Sequence, residues 1–380
     1  MTPPVLLIGN PANRRVTMFQ AALVAQGLPA ARVIAWSELF AGDAAGVLGR
    51  VPATPAIVRI DSAGEDDEVE RALLRRGELA ARAEGYPAVS AKALGRIPRE
   101  LGRILYPRQH HLGFLAVLDE LAAVLAARPA WRVVQPPVAI AELFDKRVTS
   151  ARWNRLGIPV PDTLRGGLVR DPDDLRARME AAGWPEVYVK VASASSASCL
   201  AIFTHARDGE YAITTVEDTG KARYNTRKLQ RLTDRRALDK LLRFLLGEGA
   251  QIERSIPKAM HDDHHFDLRV LAIDGVAAFT VVRMAPQPIT NLHLGGQRGD
   301  VEAVRARVAP AAWEAAMASC VAVQRASGAF HVGVDVMFER DLRGHRVIEG
   351  NAFGDLLPNL TRDGLDVYGW QIARLGLRAT

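Results

Sequence analysis

Cysteine is nearly missing from this chain. Its 380 residues hold only Cys199 and Cys320, which is too few for a disulfide framework and fits a reducing compartment. No stretch of about 18 apolar residues free of charge occurs, so a membrane span is not expected. The most apolar helical stretch, Leu112 to Ala127, carries Asp119 and Glu120 and reads as a core helix. The opening Met1-Thr2-Pro3-Pro4-Val5-Leu6-Leu7-Ile8 has no basic region, and its apolar run is too short for a signal peptide. A cytoplasmic protein without membrane partners is the expectation. Lysine is also scarce, with seven against 42 arginines, so a lysine at a motif position is less easily put down to chance. Aromatics are few, and the net charge of +6 is not gathered into a basic arm. Nucleic acid is therefore not an expected partner, whereas small anions such as nucleotides and phosphates are. Gly9-Asn10-Pro11 is not a glycine-rich dinucleotide turn.

What is present is strand–helix alternation followed by hairpins. Val5–Gly9, Arg32–Ala35, Ala56–Ile60 and Trp131–Val134 read as strands, with helices over Arg14–Gln26 and Glu68–Leu79. That alternation predicts an α/β unit over 1–137, ending at Gln135-Pro136-Pro137. A helix over Lys146–Leu156 follows, closed by Gly157. Val187–Val191 and Leu200–Phe203 read as strands around a loop of small residues. Asp234–Leu246 reads as a helix capped by Gly247, and together these fill a second region, 138–250. A third, 251–380, holds strands Gln251–Ile256, Phe266–Ile273 and Val276–Met284, the last two joined by Asp274-Gly275, and a helix over Ala311–Ala326. The run His261-Asp262-Asp263-His264-His265 matches no zinc spacing and reads as a solvated loop.

The most telling segment pairs Gly333-Val334-Asp335-Val336-Met337 with Val347-Ile348-Glu349-Gly350-Asn351 across the turn Arg340 to Gly344. Each half alternates apolar residues with an oxygen-bearing side chain. Glu349 and Asn351 stand two apart and share a side of the pleat, so the hairpin gathers them with Asp335. Three hard oxygen donors on a rigid sheet suit Mg²⁺. A hairpin with a solvated polar face is the plain alternative.

In order along the chain, Asp145-Lys146, Val187-Tyr188-Val189-Lys190, Gln251-Ile252-Glu253-Arg254-Ser255-Ile256, Asp267-Leu268-Arg269, Arg283, Asn291-Leu292-His293-Leu294-Gly295-Gly296, Asp335 and Glu349-Gly350-Asn351 resemble the ATP-grasp superfamily. The Asn291–Gly296 loop resembles that of the ribosomal-protein glutamate ligases, the RimK-like group. The resemblance spans roughly 140–360 and implies an ATP-grasp fold of two α+β lobes behind a Rossmann-like pre-ATP-grasp domain. It implies that Lys146 and Lys190 contact the α- and β-phosphates of ATP, and that Gln251, Glu253, Arg254, Ser255 and Ile256 form the adenine hinge. It also implies that Asp335, Glu349 and Asn351 hold Mg²⁺, as two ions with Mn²⁺ able to substitute. The phosphate loop departs from the family pattern. Ala192-Ser193-Ala194-Ser195-Ser196-Ala197-Ser198 has serines and alanines where glycines are usual, leaving Ser193, Ser195 and Ser196 as hydroxyl donors. No clear ribose-binding carboxylate stands out; Asp262 and Asp263 are candidates.

Arg269, Arg283 and Asn291 are the expected reaction-centre groups, since fixed donors stabilise charge developing on a transferring phosphoryl group. The resemblance implies an amide- or peptide-bond-forming carboxylate–amine ligase acting through an acyl phosphate, with a carboxylate substrate and an amine acceptor that is an amino acid, peptide or carrier protein. A homo-oligomer is left open. Two alternatives stay beside it: a small-molecule phosphotransferase on the same scaffold, and a non-catalytic nucleotide-binding protein, which the missing loop glycines would allow.

Overall fold

The computed structural model describes residues 2–164, 166–194 and 198–377. Three sheets organise the chain. The first orders its strands β2-β1-β3-β4, all parallel: β1 (Val5–Ile8), β2 (Arg32–Ile34), β3 (Ala56–Ile60) and β4 (Trp131–Val133). β1 and β3 are buried at every position, as parallel strands covered on both faces should be. Two of the covering helices, Asp67–Ala83 and Pro107–Ala126, cross in backbone contact. A Cβ on Gly77 would lie 1.9 Å from the Gln109 carbonyl oxygen, and one on Gly113 would lie 1.9 Å from that of Leu73. Only glycine fits either side of that crossing.

The second sheet is antiparallel, in the order β8-β7-β6-β5-β9: β5 (Glu186–Val191), β6 (Leu200–Ala206), β7 (Gly209–Asp218), β8 (Arg223–Leu232) and β9 (Ala250–Arg254). Helix Arg235–Gly247 lays Leu238, Leu242, Leu245 and Leu246 over Val187, Val189 and Phe203. The sequence placed the cap of this helix at Gly247. That residue is still helical, and the left-handed residue is Gly249, at φ +79°. The edge strand β8 is joined from outside the lobe. Arg103 bridges Tyr224, the Ile104 N–H donates to the Arg223 carbonyl at 2.8 Å, and the Asn225 N–H donates to that of Gly102 at 2.8 Å.

The third sheet runs β13-β12-β11-β14-β15, with β10 also on β11. It comprises β10 (Met260–His261), β11 (His264–Ile273), β12 (Val276–Ala285), β13 (Gln297–Gly299), β14 (His331–Phe338) and β15 (His345–Asn351). The histidine-rich run is a tight hairpin rather than a loop: His261 pairs with His264, and Asp262 and Asp263 turn the chain with φ of 48° and 58°. Among the described residues no group of three His, Cys, Asp or Glu could hold a metal ion.

Register across this third sheet is what places the polar residues. Asp267 pairs with Arg283, Arg269 with Asp335, and Asp335 with Glu349. Residues directly opposite share a face, so these five side chains form a row. The other face, with Leu268, Val270, Val334 and Val336, packs with Trp313, Ala316, Cys320 and Val323 of helix Pro310–Ser327. A β-bulge falls between Asp335 and Val336, where the extra residue Ile348 lets 348 and 349 both turn to one side. Gly350 faces inward, where a Cβ would meet Leu143 and Trp153 at 3.0 Å. Cys199 and Cys320 are buried and unpaired. Among the described residues, no helix is long and apolar enough to cross a membrane.

Candidate active site

The second and third sheets face each other across a narrow cleft of about 110 Å³. Its walls are apolar at one end and charged at the other. Tyr188 and Leu200 on the second sheet oppose Met337 and Ile348 on the third, with Ile256 and Ile289 between. A flat ring would be sandwiched there. Ile256 has a backbone N–H that bonds no other described residue, whereas Arg254 gives its N–H to the Asp162 carbonyl at 2.8 Å.

At the charged end four cations are each matched by a carboxylate. Lys190 Nζ lies 2.5 Å from Glu253 and over the Tyr188 ring. Lys146 Nζ lies 3.1 Å from Glu349 and donates to the Ala194 carbonyl. Arg283 bonds Asp267 at 2.7 Å and Asp335 at 3.1 Å. Lys258 reaches Asp267 at 3.3 Å, the Thr290 hydroxyl at 3.0 Å and the Pro288 carbonyl at 2.9 Å. Burial opposes charge on Asp267, but Arg283 and Lys258 overcome it and hold the carboxyl down at about 2. Burial lowers the Lys258 pKa against the pull of Asp267. The Arg283 guanidinium is desolvated too, yet Asp267 and Asp335 raise its pKa.

The expected site residues are thus partly gathered and partly not. Lys146, Lys190, Glu253, Arg254, Ile256, Arg283, Asn291, Asp335 and Glu349 line the cleft. Gln251 does not; it donates to Glu253 at 2.7 Å and so orients that carboxylate. Ser255 does not either, because its hydroxyl and N–H are both given to Glu186, at 2.7 and 3.1 Å. Ser193 instead lines two neighbouring chambers, its hydroxyl buried with no partner among the described residues. Ser195 and Ser196 lie outside the described residues. Asp262 and Asp263 sit exposed on the hairpin tip, away from the cleft walls. Lys258 and Thr290 went unread as site residues in the sequence, although a lysine among so few was itself a signal, and Tyr188 was read only as part of the Lys190 strand.

Beyond Glu349 the cleft opens into a second chamber of about 610 Å³, lined by Arg14, Arg15, Arg269, Arg298, Asn351 and residues 353–358. Arg269 grips both oxygens of Asp335 and bonds Asp355 at 2.9 Å. Asn351 donates to the Gly333 carbonyl at 3.1 Å. The donor set of Asp335, Glu349 and Asn351 is all oxygen, and the two carboxylates are adjacent across the ladder. That suits a hard divalent cation, which completes its shell with water and substrate phosphates.

No protein-family model matches the sequence, and no curated protein matches it. Solved structures do match the fold. The ATP-grasp ligase PsnB complexed with a minimal precursor is 17% identical and superposes with a TM-score of 0.54 over 99% of each chain. The D-cycloserine synthetase DcsG, 16% identical, gives 0.52 over 98% of this chain and 99% of its own. The macrocyclase MdnC bound with precursor peptide MdnA, from Microcystis aeruginosa MRC, is 12% identical and gives 0.52 over 98% and 99%. The chain has the ATP-grasp fold.

Proposed function

We propose that this protein is an ATP-dependent carboxylate–amine ligase. The observation that carries the reading is one continuous row: an apolar slot, a pair of lysines facing a pair of carboxylates, and then two arginines at the mouth of a further chamber. Adenine would lie between Leu200 and Met337 with the Ile256 N–H at its edge, and the triphosphate would take Lys146 and Lys190 from their present carboxylate partners. Asp335, Glu349 and Asn351 would hold Mg²⁺, which supplies charge neutralisation at the phosphates. The structures resembling this one include an ATP-grasp ligase complexed with a minimal precursor and a macrocyclase bound with a precursor peptide, which supports a peptide or amino acid as substrate.

In the reaction a substrate carboxylate oxygen attacks the γ-phosphorus, ADP leaves with the electron pair of the broken P–O bond, and an acyl phosphate remains. Arg283, Arg269 and Asn291 face the place where charge spreads, and fixed donors there lower the barrier. An amine then attacks the acyl carbon and phosphate departs. The test is ADP release with Mg²⁺ in the presence of candidate carboxylates, with hydroxylamine added as trap. A hydroxamate supports the ligase. A phosphorylated product that never yields hydroxamate would identify a phosphotransferase, and tight nucleotide binding without turnover a non-catalytic protein.

A further inference from the structure

A third chamber, of about 910 Å³, has Ser193, Ala194, Ser198 and Cys199 along one edge. It is walled by residues 62–74, by 98–105, by His110 and His111 at the start of the long helix, and by Phe114, Phe144 and Phe353. It meets the arginine-lined chamber along Ser62, Gly64, Glu65, Glu70, Phe144, Ser193, Ala194 and Phe353. With the nucleotide cleft it shares Ala194 and Ser198, whereas the arginine-lined chamber shares Lys146, Ala194, Arg283, Asn291, Asp335 and Glu349.

The charges of this third chamber sort themselves. Asp67 is paired with Arg71 and Arg99, and Glu100 with Arg103. Asp66 accepts the N–H groups of Glu68 and Val69 and so caps a helix. Besides Asp66, two carboxylates have no cationic partner among the described residues: Glu65, which accepts from the Asn13 amide at 3.0 Å, and Glu70, which accepts from the Glu65 backbone N–H. Both stand at the junction of the two chambers. Glu65 is held at φ +67°, a backbone state that side-chain-bearing residues seldom adopt without a reason. Desolvation, and then the neighbouring Asp67, Asp66 and Glu65, raise the Glu70 carboxyl pKa. His111, 3% exposed, also lines this chamber, and its Nδ1 is buried with no partner among the described residues.

We infer that the two chambers divide the substrates by charge. The arginine-lined chamber takes the carboxylate, and the third chamber takes the acceptor as a protonated amine on an amino acid or peptide, drawn to Glu65 and Glu70. This rests on the ligase reading. The carboxylate must touch the γ-phosphate first, so it belongs in the chamber that shares the phosphate-end residues. The amine reacts second and must arrive from a side that does not cross the nucleotide. Each chamber is the size that encloses a small organic ligand, about 300–1,000 Å³. The ammonium gives one proton to solvent, the freed nitrogen lone pair attacks the acyl carbon, and the C–O bond to phosphate breaks with its electrons leaving on phosphate, which takes the second nitrogen proton. Carboxylate, ammonium and ATP become amide, ADP, hydrogen phosphate and one proton.

The field can be measured with no substrate in hand. Leu105→Cys in the third chamber and Leu356→Cys in the arginine-lined one would be titrated with a cationic and an anionic methanethiosulfonate of similar size. The native Cys199, 1% exposed and pushed up to about 12 by burial, stays as an unreactive background. The cationic reagent should win by about tenfold at position 105 and the anionic one at position 356. E65Q combined with E70Q should abolish the first preference and leave the second. Equal rates at both positions, or a cationic preference that survives the double variant, overturn the assignment.

Function is tested by comparing hydroxylamine, which is mostly uncharged at neutral pH, with glycinamide and phenylalaninamide as acceptors on a panel of free amino acids. E65Q with E70Q should keep hydroxamate formation while raising KM for the cationic amines by about tenfold. An equal fall for both nucleophiles refutes the charge division but not the ligase. A wild-type protein that consumes ATP with this panel and never forms hydroxamate refutes the ligase and the division with it.

Discussion

Glu248 offers a stability prediction with a sign fixed by the structure. It follows helix Arg235–Gly247, is 3% exposed, and its Oε2 accepts the Arg108 N–H at 3.0 Å. Burial pushes its carboxyl up to about 7 from 4.5, against the Arg108 hydrogen bond and the attraction of Arg223. Between those two values the native chain binds more protons at this site than the unfolded chain. Stability therefore falls as pH rises through the window, and below pH 4.5 the group contributes nothing. A carboxyl so displaced costs about 3 kcal/mol once ionised. Glu248→Gln keeps an oxygen for the Arg108 N–H and removes the charge. The variant's stability relative to the parent should thus rise by about 3 kcal/mol between pH 4.5 and 7.5. Urea unfolding followed by tryptophan fluorescence at several pH values reads this directly, because all other titrations cancel in the difference. A difference that stays flat with pH, or falls, would refute the reasoning.

Four further outcomes are expected. Asp335→Asn and Glu349→Gln should each lower kcat by about 100-fold or more, and EDTA should stop turnover until Mg²⁺ is restored; unchanged turnover would contradict the metal assignment. Lys190→Met should weaken a fluorescent ATP analogue by about tenfold, or 1.4 kcal/mol, in equilibrium titration. Asp267 is held down at about 2 from 3.8, so its contribution is complete above pH 4 and lost as pH falls through 2. Asp267→Asn should cost about 3–5 kcal/mol at neutral pH, because Arg283 and Lys258 stay buried with their shared partner gone, and should flatten the parent's acid limb in urea titrations. Gly350→Ala should destabilise by about 1–3 kcal/mol through overpacking against Leu143 and Trp153, read as a lower urea midpoint.

Much of the fold was legible where local pattern and burial agree. The parallel strands were readable because both faces are covered and their residues are continuously apolar, and the Asp335–Asn351 hairpin because alternation survives on both arms. β7 and β8 were not read: β8 is an edge strand whose outward Arg227, Lys228 and Arg231 leave little period to detect. Among site residues, lysines on a strand or a helix start were visible as sequence features. Lys258 was not, since nothing in Pro257-Lys258-Ala259 reveals that the chain folds it onto Asp267 and Thr290. Ser255 and Gln251 failed in the opposite way. They stand in the hinge segment, but local partners, Glu253 for Gln251 and Glu186 for Ser255, hold them from the cleft. The bulge at Ile348 likewise depends on pairing across the ladder, which no single strand encodes.

The docking of residues 102–104 along β8 has a consequence for dissection of the protein. A free sheet margin is a template for other chains, and here the chain itself occupies part of it. A fragment cut at 138–254 would bare Arg223 and Asn225 to any strand that came near, and should self-associate in a concentration-dependent way. The same contact is a tether, because whatever swings the five-stranded lobe must carry the 102–104 segment along or let it go.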